Sequence, residues 1–287
     1  MTRPLRFPLL TLAFTVIVAV FFGFLGGGCV KRQEVFDHHA MDRMAKKTSA
    51  AVVAIATSTA DDPTHLTLCS GALVAPNLVL TARHCVSRAV TATPSCDTQG
   101  QSHNGDHLAE DVDPASIAIY TGSQIHPDSD RPVAHGVRAL HPAGQVLCDA
   151  DVAFLVLDRP VPNANILPMR LHSSVKMGES IVPVGFGGGP SNTIGRKVAH
   201  TNSTVLALGP TANRETGAVL GPHEFEVDQA TCRGDSGGPA IDPKTGEVVG
   251  VISRGGSCTS LGNHVYTRVD AYTRLAQAAF DAASREL

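Results

Sequence analysis

The apolar residues beyond residue 48 come in short runs separated by turn signals, and this feature constrains the fold most. Runs of this kind, bounded by Gly, Pro, Asn or Asp, are typical of β-strands. Many short strands indicate barrels or sandwiches rather than a helical protein, so the sequence predicts an all-β fold. The runs are Ala51–Ala56, Leu78–Thr81, Ile117–Tyr120, Val152–Leu157, Ile181–Val184 and Val248–Ile252.

The C-terminus departs from this pattern. Its apolar residues recur at spacings of three and four on otherwise polar sequence, which predicts an amphipathic helix with one face packed on the rest of the protein. These residues are Val269, Tyr272, Leu275, Ala279, Phe280, Ala283 and Leu287.

The length of 287 residues leaves room for about two small domains. A turn-rich stretch from Asp158 to Pro168 divides the β region into two similar halves. We therefore expect an N-terminal domain over 48–163 and a C-terminal domain over 164–287. The net charge is −3 and the sequence has no basic run, so nucleic acid is not expected as a partner.

An export segment is expected at the N-terminus, over residues 1–28, followed by a linker over 29–47. No residue from Phe7 to Val30 is charged, and basic residues flank the run. Its length suits either a cleaved signal peptide or an uncleaved membrane helix. The ending Gly-Gly-Gly-Cys resembles a bacterial lipoprotein signal, in which Cys29 would carry lipid. The seven cysteines fit an exported chain, because disulfides persist in oxidising compartments.

A nucleophile is the first requirement for hydrolysing an amide at neutral pH, and residues 232–239 could supply one. This segment reads Cys-Arg-Gly-Asp-Ser-Gly-Gly-Pro. The flanking glycines leave Ser236 unhindered and let the backbone N–H groups of Gly234 and Ser236 converge as an oxyanion hole. A glycine-rich turn that happens to contain a serine is the alternative.

A base and an acid stand in two further segments. His84 lies in Thr-Ala-Arg-His-Cys, directly after an apolar strand. Asp151 comes immediately before a fully apolar strand, where an unpaired carboxylate would be costly. Asp151 therefore needs a partner, and a histidine in the facing barrel would be one.

Together these three segments make residues 48–287 resemble the trypsin and chymotrypsin family of serine proteases. The order His, Asp, Ser is that family's order, and the motif Gly-Asp-Ser-Gly-Gly-Pro is highly specific. The resemblance implies two six-stranded antiparallel β-barrels followed by a helix. It also implies that His84 is the general base, that Asp151 orients it and that Ser236 is the nucleophile, with no cofactor and no metal. A monomer acting on protein or peptide substrates is expected.

Further marks of the resemblance are Gly-Phe-Gly at 185–187 and Ser253, which matches the serine that supports the aspartate. The resemblance implies the disulfides Cys69–Cys85 and Cys232–Cys258, which leaves Cys96 and Cys148 for each other. The acidic loop over 97–113 lies where such enzymes carry a calcium loop, but its oxygen ligands lack a regular spacing, so a solvated surface loop is expected.

The substrate pocket that the resemblance implies involves Ala230, Thr231, Ser253, Gly255 and His264. Ala230 stands at the pocket floor, where preference for Lys or Arg would require an aspartate. His264 replaces a glycine and should narrow the pocket. We therefore expect cleavage after small or medium uncharged residues. Two alternatives are that His264 binds an acidic side chain or that it turns outward and leaves an apolar slot for Phe or Leu.

Two other classes of function share features with this sequence. An α/β-hydrolase esterase would fit the Gly-x-Ser-x-Gly pattern around Ser236. That fold needs Ser before acid before His, and after Ser236 the only histidine is His264, with few residues left to build a doubly wound sheet. A non-catalytic binding protein on a protease scaffold would usually have lost a triad residue.

The start of the family's mature chain, Ile-Val-Gly-Gly, has no match between Lys31 and Ser70. In the family, the amine freed at that start pairs with the aspartate that matches Asp235. We therefore expect activity without an Ile or Val terminus, with another cation or donor at Asp235. Lys46, Lys47 or a terminus after them are candidates.

Overall fold

A computed structural model describes residues 48–58, 66–91, 93–188, 194–201, 203–228, 231–255 and 258–287. The expected export segment, the linker with Cys29, and the pocket residue Ala230 lie outside these ranges. Within them, no helix has the length and apolar character needed to cross a membrane.

The described part of the chain is built almost wholly from short strands, with one C-terminal helix. The elements are β1 (Val52–Thr57), β2 (Thr67–Ala75), β3 (Leu78–Thr81), β4 (Ser87–Ala89), β5 (Leu108–Asp111), β6 (Ala118–Tyr120), β7 (Ala134–Leu140), β8 (Ala153–Leu157), β9 (Ser180–Gly185), β10 (Val198–Ala199), β11 (Ser203–Leu208), β12 (Thr211–Ala212), β13 (Val219–Leu220), β14 (Glu224–Val227), β15 (Pro239–Ile241), β16 (Val248–Gly255), β17 (His264–Arg268) and α1 (Thr273–Arg285).

The first barrel is a closed antiparallel sheet in the order β1-β2-β3-β8-β7-β6. It closes where Ala54 on β1 lies opposite Tyr120 on β6. Strands β1, β3 and β8 are buried along their whole length, which explains why they appear in the sequence as continuous apolar runs rather than as alternating ones.

The second barrel has the order β9-β11-β14-β17-β16-β15 and is closed by the pairing of β15 with β9. The short strand β10 pairs with the end of β9, where Ala199 lies opposite Val184. The expectation of two six-stranded antiparallel barrels and a terminal helix is confirmed. The division of the chain at 163/164 stays a prediction.

The helix α1 follows the second barrel but packs against β3 and β8 of the first. Its buried residues are Ala276, Ala279, Ala282 and Ala283. The amide of Asn77, in the turn before β3, donates a hydrogen bond of 2.9 Å to the carbonyl of Ala283. The predicted face was wrong at Leu287, which is 72% exposed because the helix ends at Arg285.

Candidate active site

A cleft of about 730 Å³ runs between the loop after β4 and the loops of the second barrel. The first barrel contributes Thr93, Pro94, Ser95 and Cys96 to its lining. The second barrel contributes the residues that the sequence singles out, namely Thr231, Ser236, Ser253 and Gly255. The cleft therefore brings together groups from both halves of the chain.

His84 and Asp151 meet because the strands that carry them are neighbours in the first barrel, so the expectation of a histidine from the facing barrel was wrong. His84 lies in a single 3-10 turn directly after β3, and Asp151 lies just before β8. These strands pair with Thr81 opposite Ala153, so the end of one lies beside the start of the other. Nδ1 of His84 lies 2.8 Å from Oδ2 of Asp151, and the backbone N–H of His84 donates to Oδ1 at 3.1 Å.

Asp151 has no solvent exposure, and its carboxylate is held by three donors. The third is the hydroxyl of Ser253, which donates to Oδ2 at 2.6 Å. Burial would raise the pKa of Asp151, but the charge of His84 and these hydrogen bonds outweigh it and lower the pKa. Burial opposes the charged form of His84, yet the charge and hydrogen bond of Asp151 raise its pKa. The pair is thus suited to stabilise an imidazolium.

The loop that carries Ser236 is held against the first barrel through its backbone. The N–H of Ser70 donates to the carbonyl of Ser236 at 2.7 Å. The Sγ of Cys85, the residue after His84, lies 3.6 Å from the same carbonyl oxygen. No hydrogen bond joins the Ser236 hydroxyl to His84, two residues that the structure describes. This contact is commonly long in enzymes without substrate.

The glycines beside Ser236 are required by the close approach of the two barrels. Gly234 has φ of +100° and Gly237 has φ of +81°, a region that disfavours other residues. A Cβ added at Gly237 would clash with the Thr81 hydroxyl and the Ser70 carbonyl. The motif therefore encodes the backbone shape that presents Ser236.

Ser70 is a positioning residue that sequence reasoning missed. Its fully buried hydroxyl donates to the carbonyl of Gly234 at 2.7 Å and accepts from the N–H of Phe186 at 2.9 Å. Ser70 thereby ties the loop before Ser236 to β2 in the first barrel. A hydroxyl directly after Cys69 is the only sequence signal for it, and that signal becomes informative only once the facing loop is known.

The structure has all three disulfides that were expected. Cys69–Cys85 and Cys232–Cys258 match the implied family bridges. Cys96–Cys148 connects the loop that lines the cleft to the segment immediately before Asp151. All three bridges lie within a few residues of a candidate catalytic group.

His264 is completely buried and fills space next to the cleft. Its Nδ1 faces the N–H of Thr231 at 3.4 Å, and its Nε2 lies 3.1 Å from the carbonyl oxygen of Ser260. A Cβ added at Gly255 would lie 2.7 Å from Nδ1, so the ring packs directly against Gly255. Burial lowers the pKa of His264. The ring is thus turned inward, and both of its nitrogens have polar partners.

A buried ion pair on the cleft wall was also missed by sequence reasoning. Arg254 lines the cleft and binds Glu224 through two bonds, of 2.6 and 2.9 Å. Glu224 has no solvent exposure and also accepts from the N–H groups of Asp149 and Gly221. The buried carboxylate of Glu224 therefore neutralises the charge of Arg254.

Several carboxylates of the loop over 97–113 have protein partners. Asp97 accepts two backbone N–H groups within its own turn. Glu110 pairs with Arg88, and Asp111 accepts from the hydroxyl of Ser87. These contacts organise the surface loop.

Comparison with known proteins assigns the chain to a family. A family model described as Trypsin matches residues 42–276. The chain belongs to the trypsin family. It is 27% identical to trypsin-2 of Salmo salar over 209 residues, which cover 70% of this chain and 80% of that protein. It is also 27% identical to a trypsin of Saccharopolyspora erythraea over 216 residues, covering 71% and 83%.

The fold of this trypsin-family chain resembles the crystal structure of the scabies mite inactivated protease paralogue S-I1. The TM-score is 0.60 at 20% sequence identity, over 82% of this chain and 96% of the other. At that identity the likeness shows the fold alone. Membership of the family and the names of the relatives support a serine protease class.

Proposed function

We propose that the protein is a serine endopeptidase that cleaves peptide bonds through an acyl-enzyme. The observation that carries this proposal is the hydrogen bond of 2.8 Å between His84 and the fully buried Asp151, which Ser253 supports, beside the loop of Ser236. A buried carboxylate held in this way stabilises the positive charge on a histidine that accepts a proton during the reaction.

In this mechanism His84 removes the proton of the Ser236 hydroxyl as that oxygen attacks the scissile carbonyl. Asp151 holds the imidazole in one tautomer and stabilises its charged form. The backbone N–H groups of Gly234 and Ser236 stabilise the oxyanion, at about 3 kcal/mol of the barrier for each donor. His84 then protonates the leaving amine, and water hydrolyses the acyl-enzyme by the same route.

Reaction with a fluorophosphonate probe tests the proposal directly. The wild-type protein should be labelled at Ser236, and Ser236→Ala should not react. Ser236→Ala and His84→Ala should each remove nearly all amidase activity, and their losses should not add, because the two residues act as one unit. A folded wild-type chain that neither reacts nor cleaves would favour the non-catalytic binding protein.

For specificity we propose cleavage after small or medium uncharged residues. The inward ring of His264 reduces the room beside Gly255, and its nitrogens are already engaged. Peptide libraries varied at the residue before the scissile bond should show this preference, and His264→Gly should extend it to larger side chains. A dominant preference for Arg or Lys would contradict the assignment. A preference for Glu or Asp that His264→Gly abolishes would favour the acidic alternative.

A further inference from the structure

Asp235 is a second carboxylate buried at the candidate site, between the two residues that would form the oxyanion hole. It has no solvent exposure. Its Oδ1 accepts the N–H of Gly187 at 2.7 Å, and its Oδ2 accepts the N–H of Cys232 at 2.8 Å. A Cβ at Gly187 would lie 2.6 Å from the Asp235 carboxyl carbon, so this carboxylate is packed tightly in place. A buried carboxylate of this kind is costly unless a cation or further donors compensate it.

His200 faces this carboxylate from the second barrel. Its Nε2 lies 3.7 Å from Oδ2 of Asp235, and its side chain is 11% exposed. That Nε2 is buried and has no hydrogen-bond partner within the described residues. The backbone of His200 is held on both sides, because its N–H donates to Pro183 and its carbonyl accepts the hydroxyl of Ser203. The imidazole is therefore presented to Asp235 by β9, β10 and β11.

The other basic groups in the surroundings of Asp235 contact other partners. Nζ of Lys197 donates to the carbonyl of Ser49 at 2.9 Å and lies 5.1 Å from the centre of the Phe186 ring. His264 is bonded to Thr231 and Ser260. Within the described ranges, Nε2 of His200 is the only basic side-chain nitrogen at ion-pair distance, 3.7 Å, from Asp235.

We propose that His200 is the positioning residue for Asp235. It takes the place of the α-amine of an Ile-Val-Gly-Gly start, which has no match between Lys31 and Ser70. This inference rests on the proposed function. Through Asp235, His200 holds the backbone of Gly234 and Ser236 in the shape that directs their N–H groups to the oxyanion. Nε2 of His200, 3.7 Å from Oδ2, adds a second polar neighbour to that oxygen beside the N–H of Cys232. In this proposal the imidazole compensates the buried carboxylate, so the active geometry requires no new N-terminus.

The test compares His200→Phe, which keeps a ring but removes the donor, with His200→Gln, which keeps an N–H. His172→Phe at an exposed histidine is the matched control. Each variant is assayed as kcat per active site titrated with the fluorophosphonate, beside its KM and its affinity for a peptide aldehyde. His200→Phe should lower kcat by about 100-fold and aldehyde affinity by a similar factor, with KM nearly unchanged, because oxyanion contacts act in the transition state. The kcat of His200→Gln should be at least tenfold higher than that of His200→Phe, and His172→Phe should match the wild type.

Three outcomes would overturn the inference while leaving the proposed function intact. The first is a wild-type kcat in His200→Phe. The second is an equal loss of kcat in His200→Phe and His200→Gln. The third is a loss of activity when the α-amine of the wild-type protein is selectively transaminated. A folded wild-type chain that the fluorophosphonate never labels would overturn the proposed function and this inference with it.

Discussion

At the scale of single residues, two buried carboxylates lie at the centre of the candidate site. Asp151 and Asp235 are both fully buried, yet their environments differ. Asp151 receives His84 and a serine hydroxyl, whereas Asp235 receives two backbone N–H groups and faces His200. In the proposed mechanism the first arrangement stabilises a proton on His84, and the second is suited to hold a loop in one shape.

The pH dependence of kcat/KM follows from the His84–Asp151 pair. Because His84 must be neutral to act as a base and Asp151 raises its pKa, activity should rise with pH through an inflection above about 6.5, the ordinary value. Asp151→Asn removes that attraction, so the inflection should move to lower pH while the maximal rate falls steeply. An inflection that stays in place in Asp151→Asn would contradict this account.

The same pair should stabilise the folded state less as pH rises, whereas activity should rise with pH. The pKa of His84 is raised in the folded state, so its contribution is complete below the unfolded value of about 6.5 and is lost as pH rises. The pKa of Asp151 is lowered, so its contribution is complete above about 3.9 and is lost as pH falls. The pair therefore stabilises most between these values, and activity is greatest above them.

At the scale of elements, the disulfides hold loops to the strands that carry the site. Cys96–Cys148 joins positions 52 residues apart and fixes the loop at 93–96 that lines the cleft. A bridge that closes a loop of this length contributes about 4 kcal/mol in the loop-entropy model. The loop over 97–113 is thereby restrained at one end near Asp151.

Replacing Cys96 and Cys148 together by serine should lower the free energy of unfolding by about 2 to 4 kcal/mol. It should also raise KM several-fold, because one wall of the cleft loses its attachment. Denaturant unfolding and peptide kinetics would measure the two effects. Glu110→Gln, at an exposed ion pair in the same region, should change neither. An unchanged midpoint in the double serine variant would contradict a stabilising role.

At the scale of the whole molecule, the two barrels are joined by contacts that each half provides for the other. Ser70 of the first barrel fixes the Gly234 carbonyl in the second, and α1 returns from the second barrel to pack on the first. The three disulfides indicate an oxidising compartment, which supports export. Anchoring through Cys29 stays a proposal for residues outside the described ranges.

If Cys29 carries a lipid, Cys29→Ser should release the protein from membranes or mislocalise it, because the acyl chains would be lost. Gly28→Ala keeps a small residue before the cysteine and serves as the control, which should remain membrane-bound. Fractionation of cells that express each variant would measure this. Unchanged membrane retention of Cys29→Ser would instead favour a spanning helix over 7–30.

The sequence by itself determined the strand-rich fold and the candidate triad, because both are encoded locally. A buried strand such as Val152–Leu157 is an apolar run, and the glycines around Ser236 follow from the backbone of a single turn. The resemblance to one family then placed His84, Asp151 and Ser236 in order.

The resemblance also indicated Ser253 as the support of Asp151, but only the tertiary structure decided the contacts of Ser70 and His200. Ser70 and Gly234 are 164 residues apart, and their contact exists only after both barrels have closed. Likewise, nothing in the local sequence of His200 indicates that it faces Asp235, since that distance depends on how β10 pairs with β9. Periodicity records which face of an element is buried, whereas the partner of a buried polar group is set by the packing of distant elements.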